Sequence, residues 1–61
     1  MALFKTNDVN VLKTLGITAR TPALITLETC FDGSVHWHSV DWDMLPFLKS
    51  LGASEPIEMK L

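Results

Sequence analysis

Sixty-one residues, 48% of them apolar, with three Gly, three Pro and a net charge of −2, describe a small globular chain of one domain, residues 1–61. Five Lys and Arg against seven Asp and Glu leave no basic stripe to neutralise phosphates, and a lone Cys30 excludes an internal disulfide. No long apolar run resembles a signal peptide or a membrane span, so the chain reads as intracellular and neither membrane nor nucleic acid is an expected partner.

Thr6, Asn7 and Asp8 are three N-cap candidates for a first helix, in which Val11, Leu12 and Leu15 share a face opposite Lys13 and Thr14. Gly16 ends it, with Ile17 folding back in a Schellman-type stop. Thr18 to Pro22 is a polar connector whose closing proline suits the entrance to an edge strand.

The run from Ala23 to Phe31 is rich in β-branched and apolar residues and alternates, Ile25, Leu27, Thr29 and Phe31 against Thr26, Glu28 and Cys30, and Asp32-Gly33 is a turn signal. A two-residue turn would set Leu27 beside His38 and Glu28 beside Trp37. A three-residue loop of Phe31, Asp32 and a left-handed Gly33 pairs Cys30 with Ser34, and then Thr29 with Val35, Leu27 with Trp37 and Glu28 with His36. The second register matches apolar with apolar and polar with polar, and is the one expected.

In the second helix, Pro46 is placed harmlessly in the first turn if Asp43 is the N-cap. That choice also makes Trp42 and Phe47 a hydrophobic staple. Met44, Phe47, Leu48 and Leu51 then form the buried stripe, and Gly52 is the stop. After Pro56, the alternation of Ile57, Met59 and Leu61 with Glu58 and Lys60 reads as a short terminal strand.

Leu12-Lys13-Thr14-Leu15-Gly16-Ile17-Thr18 is echoed 36 residues later by Leu48-Lys49-Ser50-Leu51-Gly52-Ala53-Ser54. The echo reads either as an internal repeat or as two helix ends converging on one vocabulary. With Ala2 to Lys5 as a first strand, the elements run β-α-β-β-α-β. That is the order of the ferredoxin-like split fold, an α+β class with two short helices on one face of an antiparallel sheet. Without that strand the chain is an α-β-β-α-β domain whose sheet is completed by dimerisation.

The expected register sends Thr26, Glu28, Cys30, His36 and His38 to the face away from the helices. His36 and His38, two apart on one strand, offer metal ligands together with Glu28 or Cys30, or an acid and base pair with Glu28 orienting one imidazole. The same residues also suit the solvated side of an ordinary sheet. Buried in a dimer, the histidines would make association depend on pH near about 6 to 7. Cys30 has no basic neighbour and reads as an inert thiol. Trp37 belongs to the core, whereas Trp42 reads as a staple or an interface anchor. Phosphate-cradling loops, nucleophile elbows and zinc-module spacings do not occur, and no cofactor is implied.

A chain this short buries only about 60% of the surface its unfolded form exposes, yet its mean hydropathy is +0.25. A partner subunit is therefore expected, most simply in a two-fold dimer. The composite expectation is a non-enzymatic protein–protein interaction module: a dimeric regulator, inhibitor or accessory subunit, of a size and acidity frequent among mobile-element accessory genes. The alternative is an oligomeric ligand- or metal-binding protein, or a minimal enzyme, using His36, His38 and Glu28 at a subunit interface.

Overall fold

A computed structural model describes residues 1–60, so Leu61 of the expected terminal strand lies outside the described residues. The elements are β1 (Leu3–Thr6), α1 (Val9–Leu15), β2 (Ala23–Thr29), β3 (Val35–Val40), a 3-10 turn (Trp42–Met44), α2 (Leu45–Ser50) and β4 (Ile57–Glu58). The α+β class and the β-α-β-β-α-β order are those expected, and the first strand forms. Its presence removes the α-β-β-α-β alternative. Among the described residues no helix is long and apolar enough to cross a membrane.

The four strands lie in the order β3-β2-β1-β4. β1 pairs antiparallel with β2, and β4 runs parallel to β1 with Phe4 opposite Ile57. The sheet is therefore mixed where an all-antiparallel one was expected, and β1 sits directly beside β2. It follows that β2 is an interior strand, correcting the expected edge position. Pro22 is compatible with this because it precedes the first ladder residue, Ala23, and so removes no bond from the sheet.

Both helices stop as their shared word predicts. Ile17 N–H reaches the Leu12 carbonyl at 2.9 Å and Gly16 N–H that of Lys13 at 3.1 Å. Ala53 to Leu48 and Gly52 to Lys49, each 3.0 Å, repeat the pattern. These are the two bonds of a Schellman stop, in which Gly16 takes a φ of 74° that other residues resist. At its other end α1 is capped by Asp8, whose side chain accepts from Asn10 N–H at 2.9 Å.

The start of the second helix differs from expectation. Asp41 is the capping residue, its carboxylate accepting from Asp43 N–H at 3.0 Å, and the chain makes a 3-10 turn before α2 begins at Leu45. Pro46 still falls in the first α-helical turn, but a 3-10 turn ahead of it absorbs the missing donor that seemed to require Asp43 as the cap. Trp42 is held by its own indole N–H, which donates to the Pro22 carbonyl at 2.8 Å, and not by the expected staple geometry.

Side chains alternate across the sheet, so the register divides them into two sets. On one face Ala23 and Ile25 join Leu12 of α1 in the core cluster, with Phe4, Leu15, Ile17, Ala19, Trp37 and Met59 packed around it. Phe4 and Trp37 meet edge to face at 5.6 Å between ring centroids. Leu3 and Leu24 point to the opposite face and are buried as completely. β3 and β4 run parallel, so the connection between them is a parallel crossover. A parallel crossover of this kind is right-handed, which carries α2 over the face bearing Leu3 and Leu24. Its ends are tied down by Trp42 to Pro22 and by Ser54 N–H to the Met1 carbonyl at 3.3 Å. By that hand the helices lie on opposite faces, where two helices on one face were expected.

Candidate functional site

The β2–β3 hairpin adopts the expected three-residue loop. Cys30 N–H donates to Ser34 O at 2.8 Å, Gly33 N–H to Cys30 O at 3.0 Å, and Gly33 has a φ of 87°. The ladder pairs Thr29 with Val35, Glu28 with His36, Leu27 with Trp37 and Thr26 with His38. β1 reaches only as far as Thr26, so the outer half of the hairpin projects beyond the four-stranded sheet. Leu27 and Val35, expected to face the helices, point to the α1 side but lie past its reach and are exposed.

The polar face of this arm carries four of the five candidate residues. His38 Nε2 lies 2.7 Å from Glu28 Oε2 on the neighbouring strand, with both side chains about half exposed. His36 and His38 have ring centroids 6.4 Å apart. Cys30 is a half-buried free thiol at the hairpin's end, with no base within hydrogen-bond reach. Trp42, the fifth candidate, stands apart at the other end of the sheet. There it lines a cleft of about 310 Å³ with Lys5, Thr6, Asn7, Pro22 and Glu58.

Asp32 and Ser34, legible in the sequence only as turn and pairing residues, complete the polar face. Asp32 Oδ1 accepts from both the Ser34 hydroxyl, at 2.6 Å, and the Ser34 backbone N–H, at 2.9 Å. These two bonds, the hydroxyl's foremost, hold the Asp32 carboxyl below its usual range. The Asp-Gly-Ser spacing was the available signal, because an Asp that bonds the backbone two residues on is a standard way to build a turn.

The chain of bonds continues from Ser34 Oγ to His36 Nε2 at 3.2 Å. Aspartate, serine and histidine in line invite a catalytic reading, but the protons run the wrong way. The serine has one hydroxyl proton and gives it to Asp32, so Ser34 Oγ accepts from His36 Nε2–H. An imidazole that donates to a hydroxyl is not the base that activates it. Among the described residues no three His, Cys, Asp or Glu side chains gather closely enough to hold a metal ion within one chain.

A second exposed feature runs from the end of the 3-10 turn along α2 to its C-cap. Met44, Phe47 and Leu51, expected in the buried stripe, are 43%, 50% and 69% exposed, whereas Leu45 and Leu48 are half-buried. The apolar arc of the helix is wider than its contact with the sheet, so one edge of it faces inward and the other faces water.

Comparison with protein-family models, with curated proteins and with solved structures finds no match to this chain.

Proposed function

We propose that this protein is a small non-enzymatic interaction module, a self-associating regulator, inhibitor or accessory subunit that acts by binding another protein. The observation that carries the reading is the outward stripe of Met44, Phe47 and Leu51. The three residues follow the i, i+3, i+7 spacing of a helix face and form a surface of the kind that packs against a partner. Leu27, Phe31 and Val35 add exposed apolar surface on the hairpin arm.

The total area supports the same reading. A folded monomer of 6.8 kDa exposes about 3,950 Å² by the usual scaling, and this chain exposes 4395 Å². Excess surface rich in large apolar groups favours association. The polar face of the hairpin is exposed to solvent, and its serine proton is committed to Asp32; both features favour binding over catalysis.

The test is sedimentation velocity of the wild type over a concentration series. Reversible self-association of the wild type supports the reading. A wild type that stays monomeric up to about 1 mM has no measurable affinity for itself and contradicts it.

A further inference from the structure

β3 ends the sheet, and among the described residues no strand neighbours its outer edge. The ladder fixes which backbone groups lie on that edge. Cys30 and Ser34 form a hydrogen-bonded pair, and such pairs alternate along an antiparallel ladder. Ser34, His36, His38 and Val40 therefore turn their N–H and C=O groups towards β2. Val35, Trp37 and Ser39 turn theirs outward.

Edges of this kind are usually blocked by Pro, Lys or a bulge, and Val35 to Val40 contains none of these. It carries no formally charged acidic or basic residue, so pairing with a copy of itself brings no such like charges together. One antiparallel register satisfies all three outward residues at once. With the two-fold axis at Trp37, Trp37 bonds the partner's Trp37, and Val35 and Ser39 bond the partner's Ser39 and Val35. Shifting the axis by one residue either way leaves Val35 or Ser39 without a partner inside the strand.

The same register sets His36 directly opposite the partner's His38, in a close pair whose Cα atoms are about 4.5 Å apart. Both imidazoles are already oriented. His38 presents Nε2 to Glu28, and His36 presents Nε2 to Ser34, which in the neutral rings leaves each Nδ1 with its lone pair free. A ring N–H held by a carboxylate while the other nitrogen stays open is the arrangement that supports metal-ligating histidines. Within one chain the rings are too widely spaced. Two imidazoles bound to one tetrahedral zinc have centroids roughly 5 Å apart, against the 6.4 Å seen between His36 and His38.

We propose that two copies join antiparallel through β3 about an axis at Trp37, and that the joined strands bind a first-row divalent transition ion at each of the two equivalent pairs of His36 with the partner's His38. The proposal rests on the self-association read above and assigns that association to the β3 edge, leaving the stripe of Met44, Phe47 and Leu51 for the second protein. Water completes the coordination, and the site is absent from a single chain.

The test is sedimentation equilibrium with and without Zn²⁺, followed by addition of EDTA, on the wild type and three variants. For the wild type, Zn²⁺ is expected to tighten dimerisation at least about tenfold, reversed by EDTA. His36→Ala and His38→Ala keep the metal-free association and lose the zinc response. Val35→Pro removes an outward N–H at the start of an edge strand, where proline is tolerated. It keeps the wild-type circular dichroism spectrum and loses both the association and the zinc response.

Zinc bound equally well by monomeric Val35→Pro, or a zinc response that survives His36→Ala, overturns the shared site. A dimer indifferent to zinc overturns the metal site while leaving the interaction module standing. A wild type monomeric with and without zinc overturns both.

Discussion

Leu24 and Ile25 are consecutive in β2, point to opposite faces of the sheet, and are exposed by only 1% and 0%. A four-stranded sheet covered on one side would leave one of them wet. Here Ile25 packs with Leu12 of α1, and Leu24, buried outside that cluster, lies on the face to which a right-handed crossover carries α2. Leu24→Ala and Ile25→Ala are each expected to cost about 2–5 kcal/mol, the range for buried aliphatic truncation. Urea denaturation of the two variants measures this. A cost below about 1 kcal/mol for Leu24→Ala would show that the second face is not a core.

Exposure on α2 makes a complementary prediction. Phe47→Gln is expected to change monomer stability by less than about 0.5 kcal/mol, because its side chain is half in water. Leu48→Ala, three-dimensionally close but turned inward, is expected to cost more than Phe47→Gln. Thermal denaturation at a concentration low enough to keep the chain monomeric ranks the two. The opposite ranking would return Phe47 to the core.

Gly33 carries the loop of the hairpin at a φ of 87°, with open space where a Cβ would stand. Gly33→Ala meets no neighbour, so its cost is conformational, about 1–2 kcal/mol. Gly33→Asn is expected to recover part of it, since asparagine tolerates the left-handed region better than alanine does. Equal stability of the Ala and Asn variants would contradict a conformational origin.

Asp32 gives the hairpin an acid limit. Its carboxyl lies below its usual range because the Ser34 hydroxyl and then the Ser34 amide donate to it. For a carboxyl lowered in the folded state, the ordering contribution is present above the unfolded value, near about 3.9, and is lost as pH falls through the folded one. Amide exchange at Ser34, followed by NMR, is expected to lose protection as the pH drops below about 4 in the wild type. Asp32→Ala removes that protection at every pH. A Ser34 amide that behaves identically in both proteins would contradict the turn bond.

Much of this hairpin was legible because pairing rules act locally. Glu28 beside His36 and Leu27 beside Trp37 separate polar from apolar side chains, and only the three-residue loop achieves that. The helix stops were legible for the same reason: the Leu-Lys-x-Leu-Gly word places glycine where a left-handed residue closes the turn. Strand order was not legible. β1 has four residues and β4 two, too few for alternation to name a neighbour or a direction.

The phase of α2 was hidden by its composition. Met44, Leu45, Phe47, Leu48 and Leu51 make an apolar arc too broad to reveal which edge meets the sheet. A 3-10 turn ahead of Pro46 then set the start of the helix two residues past the cap assumed. At the candidate site, His36, His38 and Glu28 could be placed on one face from their spacing. The direction of the Ser34 proton could not, because it depends on Asp32 folding back across the loop.

The measurement that bears most directly on the central claim is the mass of the wild-type protein in solution as concentration rises from about 1 µM to about 1 mM. A chain that leaves Met44, Phe47 and Leu51 in water and β3 unpaired is predicted to shift reversibly from monomer to dimer across that range. A constant monomer mass throughout would contradict it.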